Sequence, residues 1–119
     1  MYRLQFILKG LPKRTNNSSR NWKAVHFERK KWKKWVALMV LSKGAPLKAL
    51  SKAKLTLIRY SSVEPDFDGL VSSFKGVIDG LVEAEVIQDD KVSVIGNPEY
   101  MWKKTLPKVG FIEVIVEQL

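Results

Sequence analysis

Two short segments of the chain carry carboxylates at spacings that chemistry can use. The first opens with Asp66-Phe67-Asp68-Gly69-Leu70 and runs on through Ser72, Lys75 and Asp79; the second is Asp89-Asp90. Two carboxylates one residue apart at a helix start converge on an ion if the first residue is still extended. A third donor must come from elsewhere in the fold, and Asp89-Asp90 supplies candidates. The chain has no Cys and one His, His26. A metal here is therefore held by oxygen, which favours magnesium, manganese or calcium. Such ions activate water and stabilise a leaving oxygen in phosphodiester cleavage. Lys75 is suited to neutralise charge on a phosphorane-like transition state. The ordinary alternative is structural: an Asp at a helix N-terminus is usually a cap, and Lys and Asp on one helix usually form a solvated face.

These groups need elements to position them. Tyr2, Leu4, Phe6 and Leu8 alternate with Arg3 and Gln5, the pattern of a half-buried strand. Gly10 to Arg20 is rich in Gly, Pro, Asn and Ser and reads as a loop. A helix is expected from about Val25 to Leu41, with Trp32, Trp35, Val36, Met39 and Val40 on its apolar side, ended by Gly44 and Pro46. Ala53 to Tyr60 is strand-like, with Leu55, Leu57 and Arg59 on one face and Lys54, Thr56 and Ile58 on the other.

A second helix is expected from Asp66 to about Val86, with Pro65 ending the strand before it. On a wheel of 100° per residue, Lys75 and Asp79 fall within about 20° of Asp68. Ser72 shares that stripe, beside an apolar side of Leu70, Val71, Phe74, Val77, Ile78, Leu81 and Val82. Lys91 to Ile95 reads as a short strand, Gly96 to Pro107 as a basic connection, and Gly110 to Glu117 as a strand. The expected architecture is one α/β domain over residues 1–119. Its order is strand, helix, strand, helix, strand, strand, with a mixed sheet and two helices.

The formal net charge is +9, with 45% hydrophobic and 28% charged residues. That composition is ordinary for a folded domain, and the charge points to a polyanionic partner. The basic residues cluster. Lys30, Lys31, Lys33 and Lys34 lie on the first helix, Lys13 and Arg14 stand with Asn16 in the first loop, and Lys103 and Lys104 follow Trp102. All nine are candidate DNA contacts, and binding by charge and shape predicts steep salt dependence. Trp32 and Trp35 are expected in the core, and His26 has no catalytic role. No apolar run approaches the length of a membrane span, and Met1 to Leu8 does not read as a signal peptide, so the expected location is cytoplasmic.

At the carboxylate segments the chain resembles the RusA family of Holliday junction resolvases, with its many phage-borne members. The family pattern is Asp-x-Asp-Asn-Leu, a Lys, Asp-Ala/Gly-Leu, a Gly-containing turn and Asp-Asp. The matching text is Asp66-Phe67-Asp68-Gly69-Leu70, Lys75, Asp79-Gly80-Leu81 and Asp89-Asp90. The loop Leu11 to Asn17 also looks like the family's N-terminal loop. The resemblance implies a RusA-like fold, metal ligands Asp66, Asp68 and Asp90, and Lys75 as the essential base or phosphate partner. It also implies a magnesium-dependent homodimer, with manganese as a substitute, that cuts opposed strands of four-way DNA symmetrically in recombination and repair. The setting it implies is a bacterial or phage-infected cell, at the nucleoid. The chain departs from the pattern in three places. Gly69 stands for the usual Asn, Lys75 is three residues further from Asp68 than in the compact motif, and Glu85 stands where a turn Gly is common.

Two other functions fit the same residues. One is a non-catalytic nucleic-acid-binding module that uses the basic helix alone. The other is a related nuclease that prefers flaps or forks.

Overall fold

A computed structural model of the chain describes residues 1–13 and 22–119. In chain order the elements are β1 (Arg3–Lys9), α1 (Trp22–Lys43), β2 (Ala53–Ser61), α2 (Phe67–Ser73), α3 (Lys75–Glu83), α4 (Val92–Ile95), β3 (Glu99–Lys104) and β4 (Phe111–Gln118). The strands form one sheet in the order β1-β4-β2-β3. β2 and β3 are parallel, while β4 runs antiparallel to both β1 and β2. The protein is thus an α/β domain on a mixed sheet. A parallel pair needs a long crossover, and α2, α3 and α4 are the helices within it.

Register assigns each face of the sheet. Phe6 lies opposite Val114, Val114 opposite Leu57, and Leu57 opposite Tyr100. With Leu4, Val116, Leu55 and Ile112 this row faces the helices, and nearly all of it is buried. The next row, Ile7, Glu113, Ile58 and Met101, points the other way. Alternation of this kind follows from the two-residue repeat of a strand.

The helix layer is built on α1 and α3. Trp32, Val36 and Val40 recur every four residues and are almost wholly buried, each contributing roughly 1.5–3 kcal/mol relative to exposure. They meet Val77, Ile78 and Leu81 of α3 in the same core. Close approach depends on Gly80, where an added Cβ would stand 2.9 Å from Val36 Cβ and 3.1 Å from Lys33 Cα. One charge lies inside this layer. Glu28, 7% exposed, accepts from the Trp32 Nε1–H and the Lys13 backbone N–H, each at 3.0 Å. Lys31 Nζ stands 3.3 Å from its other oxygen. Burial opposes the Glu28 charge, but these hydrogen bonds outweigh it and hold the carboxyl below its ordinary pKa.

Three expectations are corrected. The helix over 66–86 is two helices, divided at Phe74 (φ −88°, ψ 1°). Ser73 Oγ donates to the Leu70 carbonyl at 2.8 Å and Ser72 Oγ to the Gly69 carbonyl at 3.3 Å. The Phe74 N–H bonds Val71 O, three residues back. Local bonds of this type loosen a helical ladder and bend its path. Lys91–Ile95 is not a strand. Val92–Ile95 form a single helical turn in which the Val94 and Ile95 N–H groups return to the Lys91 carbonyl, ended by Gly96 at φ +57°, whose N–H returns to Val92. The connection through Tyr100 and Trp102 is instead strand β3, at the sheet edge. Its lysines suit an edge, where charge discourages pairing with another chain.

Candidate functional site

Asp66 ends an extended stretch (φ −71°, ψ 162°) and caps α2, its Oδ1 accepting the Gly69 N–H at 3.0 Å. The first carboxylate of the pair is therefore extended, as convergence on an ion requires, while also serving the helix. Asp68 sits exposed in the first turn, where negative charge complements the helix dipole.

The other predicted groups meet across fifteen residues of sequence. Lys75 Nζ donates to Asp90 Oδ2 at 2.6 Å and stands 3.1 Å from Asp79 Oδ1. Lys75 opens α3 directly after Phe74, which is fully buried and lies 6.1 Å, ring to ring, from Tyr100 of β3. Asp90 is placed from the other side. Val86 and Ile87 are buried, and Leu50 pins this stretch by accepting from the Gln88 N–H and donating to Val86 O. The turn before it is made by Glu85 in the left-handed region, φ +60°, the conformation that glycine adopts most readily. The Asp90 backbone N–H donates to Asp89 Oδ1 at 2.7 Å.

The Lys75 hydrogen bond, helped by Asp89, holds the Asp90 carboxyl below the ordinary carboxylate range. Hydrogen bonds and charge from Asp90 and Asp79 raise Lys75 against the opposing effect of burial. Both shifts favour the charged pair. In Lys75→Met the Asp90 carboxyl is expected to titrate at higher pH than in the native chain, with Asp89 retaining part of the depression. A carbon-detected NMR titration of the Asp90 carboxyl measures this. An unmoved titration would mean that Lys75 is not what holds Asp90 ionised.

Among the described residues, no three Asp, Glu or His side chains are grouped as a metal site. Of the expected ligands, Asp66 and Asp68 stand at the start of α2, and Asp90 lies beside Lys75 of α3. The carboxylates fall into two pairs, Asp66 with Asp68 and Asp89 with Asp90, and the Lys75 ammonium occupies Asp90. The donor chemistry still fits magnesium, which commonly takes one or two carboxylates and completes its shell with water and phosphate oxygens.

The candidate DNA contacts are divided. Lys30 and Lys34 of α1 are exposed, whereas Lys31 pairs with Glu28 and Lys33 with Glu83, the latter at 2.9 Å. Lys30, Lys33 and Lys34 line a hollow of about 500 Å³ together with Asp79, so this basic face adjoins the Lys75 cluster. Lys103 lies 5.7 Å from the Tyr60 ring centroid, on the sheet face turned away from the helices. Lys104 is exposed at the end of β3. The Lys13 side chain is exposed; Arg14 and Asn16 lie outside the described residues.

Sequence reasoning missed Arg59. It lies opposite Ile112 and Trp102, on the face that carries Leu55 and Leu57. A charged residue in phase with two core leucines was the available signal. It also missed Glu28, whose burial depends on the Trp32 indole and the Lys13 backbone N–H meeting it in the fold. No known family model matches the chain, and no curated protein matches it. The described residues also contain no helix long and apolar enough to cross a membrane.

Proposed function

We propose that this chain is a magnesium-dependent endodeoxyribonuclease of the RusA kind, resolving four-way DNA junctions by paired symmetric cuts. It acts as a homodimer in the cytoplasm of a bacterial or phage-infected cell, at the nucleoid. The observation that carries the reading is the Lys75–Asp90 bond. It ties Lys75 of α3 to Asp90, the far end of the one segment, 66–90, whose residue types match the resolvase pattern. Glu85 adds support, because its positive φ keeps the backbone shape of the turn where that pattern has Gly.

Asp66, Asp68 and Asp90 would hold the ion, with manganese as a substitute. When bound, the ion supplies a polarised water and stabilises the leaving oxygen. The protein's own part is positioning and charge. Lys75, held between Asp79 and Asp90, places an ammonium beside the carboxylates, where it offsets charge gathering on the phosphate. Lys30, Lys34 and Lys13 are exposed cations for backbone phosphates, and each such contact steepens the salt dependence of binding.

The test is one assay of strand cleavage on four-way, three-way, flap and linear duplex DNA, with and without magnesium or manganese. Symmetric nicks in the four-way junction that require the metal are expected. Cleavage confined to flaps or forks would instead assign a related nuclease. One observation favours a second reading, a non-catalytic binding module: Lys30 and Lys34 are exposed on α1. That module would bind the same DNA without metal and cut none of it.

A further inference from the structure

Arg59 is a charge in an apolar position. It takes the place in β2 where the alternation of Leu55 and Leu57 calls for another core side chain, and its neighbours across the sheet are Ile112 and Trp102. Its Nη1 donates to the Pro12 carbonyl at 2.8 Å. Its Nε is buried and has no hydrogen-bond partner among the described residues. Among the described residues no carboxylate lies within ion-pair distance of it, and residues 14–21 contain no Asp or Glu. Glu28, the buried acid, is by contrast fully engaged. A half-buried guanidinium without a counter-ion is costly to keep, and burial accordingly lowers its pKa.

Arg59 also lines a hollow of about 480 Å³ with Pro12, Lys13, Asp66, Gly69 and Ser73. Most polar groups of that wall are already committed. The Gly69 N–H goes to Asp66, Ser73 Oγ goes to Leu70, and the Lys13 N–H goes to Glu28. What the hollow presents is two cationic side chains, Arg59 and Lys13, against the one carboxylate of Asp66. A planar guanidinium fork matches two oxygens of a phosphate and holds them better than a point charge does.

We infer that this hollow is a phosphate seat, in which Arg59 binds the oxyanion of a nucleic-acid strand and Lys13 assists from the rim. The inference rests on the nuclease reading only for the source of the phosphate. It makes Arg59 a binding residue that presents a strand phosphate to the Asp66 side of the candidate site.

The experiment follows the Arg59 Nε–Hε and Gly69 amide resonances by NMR, without divalent metal, at constant ionic strength. Inorganic phosphate is titrated first, and a short single-stranded oligonucleotide second. Saturable phosphate shifts beyond a chloride control are expected, with the oligonucleotide competing for the same resonances. Arg59→Lys keeps the charge, loses the fork, and is expected to weaken phosphate about tenfold. Lys13→Gln, at an exposed site, is expected to weaken it about two- to threefold and serves even if Arg59 variants fold poorly. Absence of saturable shifts, or native affinity in both variants, would overturn the seat. Phosphate binding that the oligonucleotide does not compete would overturn the strand assignment. Failure of the nuclease reading is seen separately, as intact binding here with no cleavage of any branched DNA.

Discussion

Asp68→Asn is expected to lower metal-dependent cleavage of a four-way junction by roughly 10²–10³-fold, the scale of losing a group that acts on transition-state charge. Junction binding should persist or tighten, because one negative charge near the proposed phosphate path is gone. The fold should be intact. Asp68 is exposed in the first turn of α2, and losing its favourable position at the helix dipole costs only about 0.3–1 kcal/mol. Cleavage kinetics, a gel-shift titration and a thermal melt together separate these effects. A variant that cut at the native rate would remove Asp68 from the ligand set. One that failed to bind would point to a structural role.

Trp32→Ala is expected to cost about 3–5 kcal/mol of folding stability, a large share of the roughly 5–15 kcal/mol that a domain usually has. Trp32 is 1% exposed. It lies 4.9 Å, edge to face, from Trp35, and its indole N–H bonds the buried Glu28. Truncation leaves a cavity and strips one hydrogen bond from a carboxylate that has little water to replace it. Urea melts should show a lower midpoint with an unchanged slope. Trp32→Phe should lose less, since most of the packing remains. Trp35→Ala should also lose less, because Trp35 is only partly buried. A native midpoint for Trp32→Ala would contradict the placement of this ring at the centre of the helix layer.

Much of the fold was legible because its patterns are local. The alternation of Leu4 and Phe6 gives β1, the spacing of Trp32, Val36 and Val40 gives α1, and Pro65-Asp66 marks the cap of α2. The Lys75–Asp79 pair follows from ordinary i,i+4 geometry. The misplaced parts depend on interactions that a helical wheel or a hydropathy pattern does not contain. The wheel assumed a straight helix from Asp66 to Val86, but two serine hydroxyls and the close contact of α3 with α1 redirect the chain at Phe74. β3 looked like a loop because lysines crowd its end, and only its pairing with β2 makes it a strand. In the candidate site, the Lys75–Asp90 contact depends on Leu50 holding the chain at Val86 to Gln88, a bridge between segments far apart in sequence. Residue types alone also left the third ligand undecided. In the fold, Asp90 is bound by Lys75.

The division at Phe74 gives the two halves of this surface unequal footing. A seven-residue helix is too short to persist in water by its own hydrogen bonds, so the platform beneath Asp66 and Asp68 stands only while Leu70 stays docked. Lys75 and Asp79 ride instead on a helix clamped to its neighbour at a glycine-lined contact. Amide protons on the first platform should therefore exchange with solvent sooner than those on the second. A strand lying across both would bridge a yielding support and a firm one.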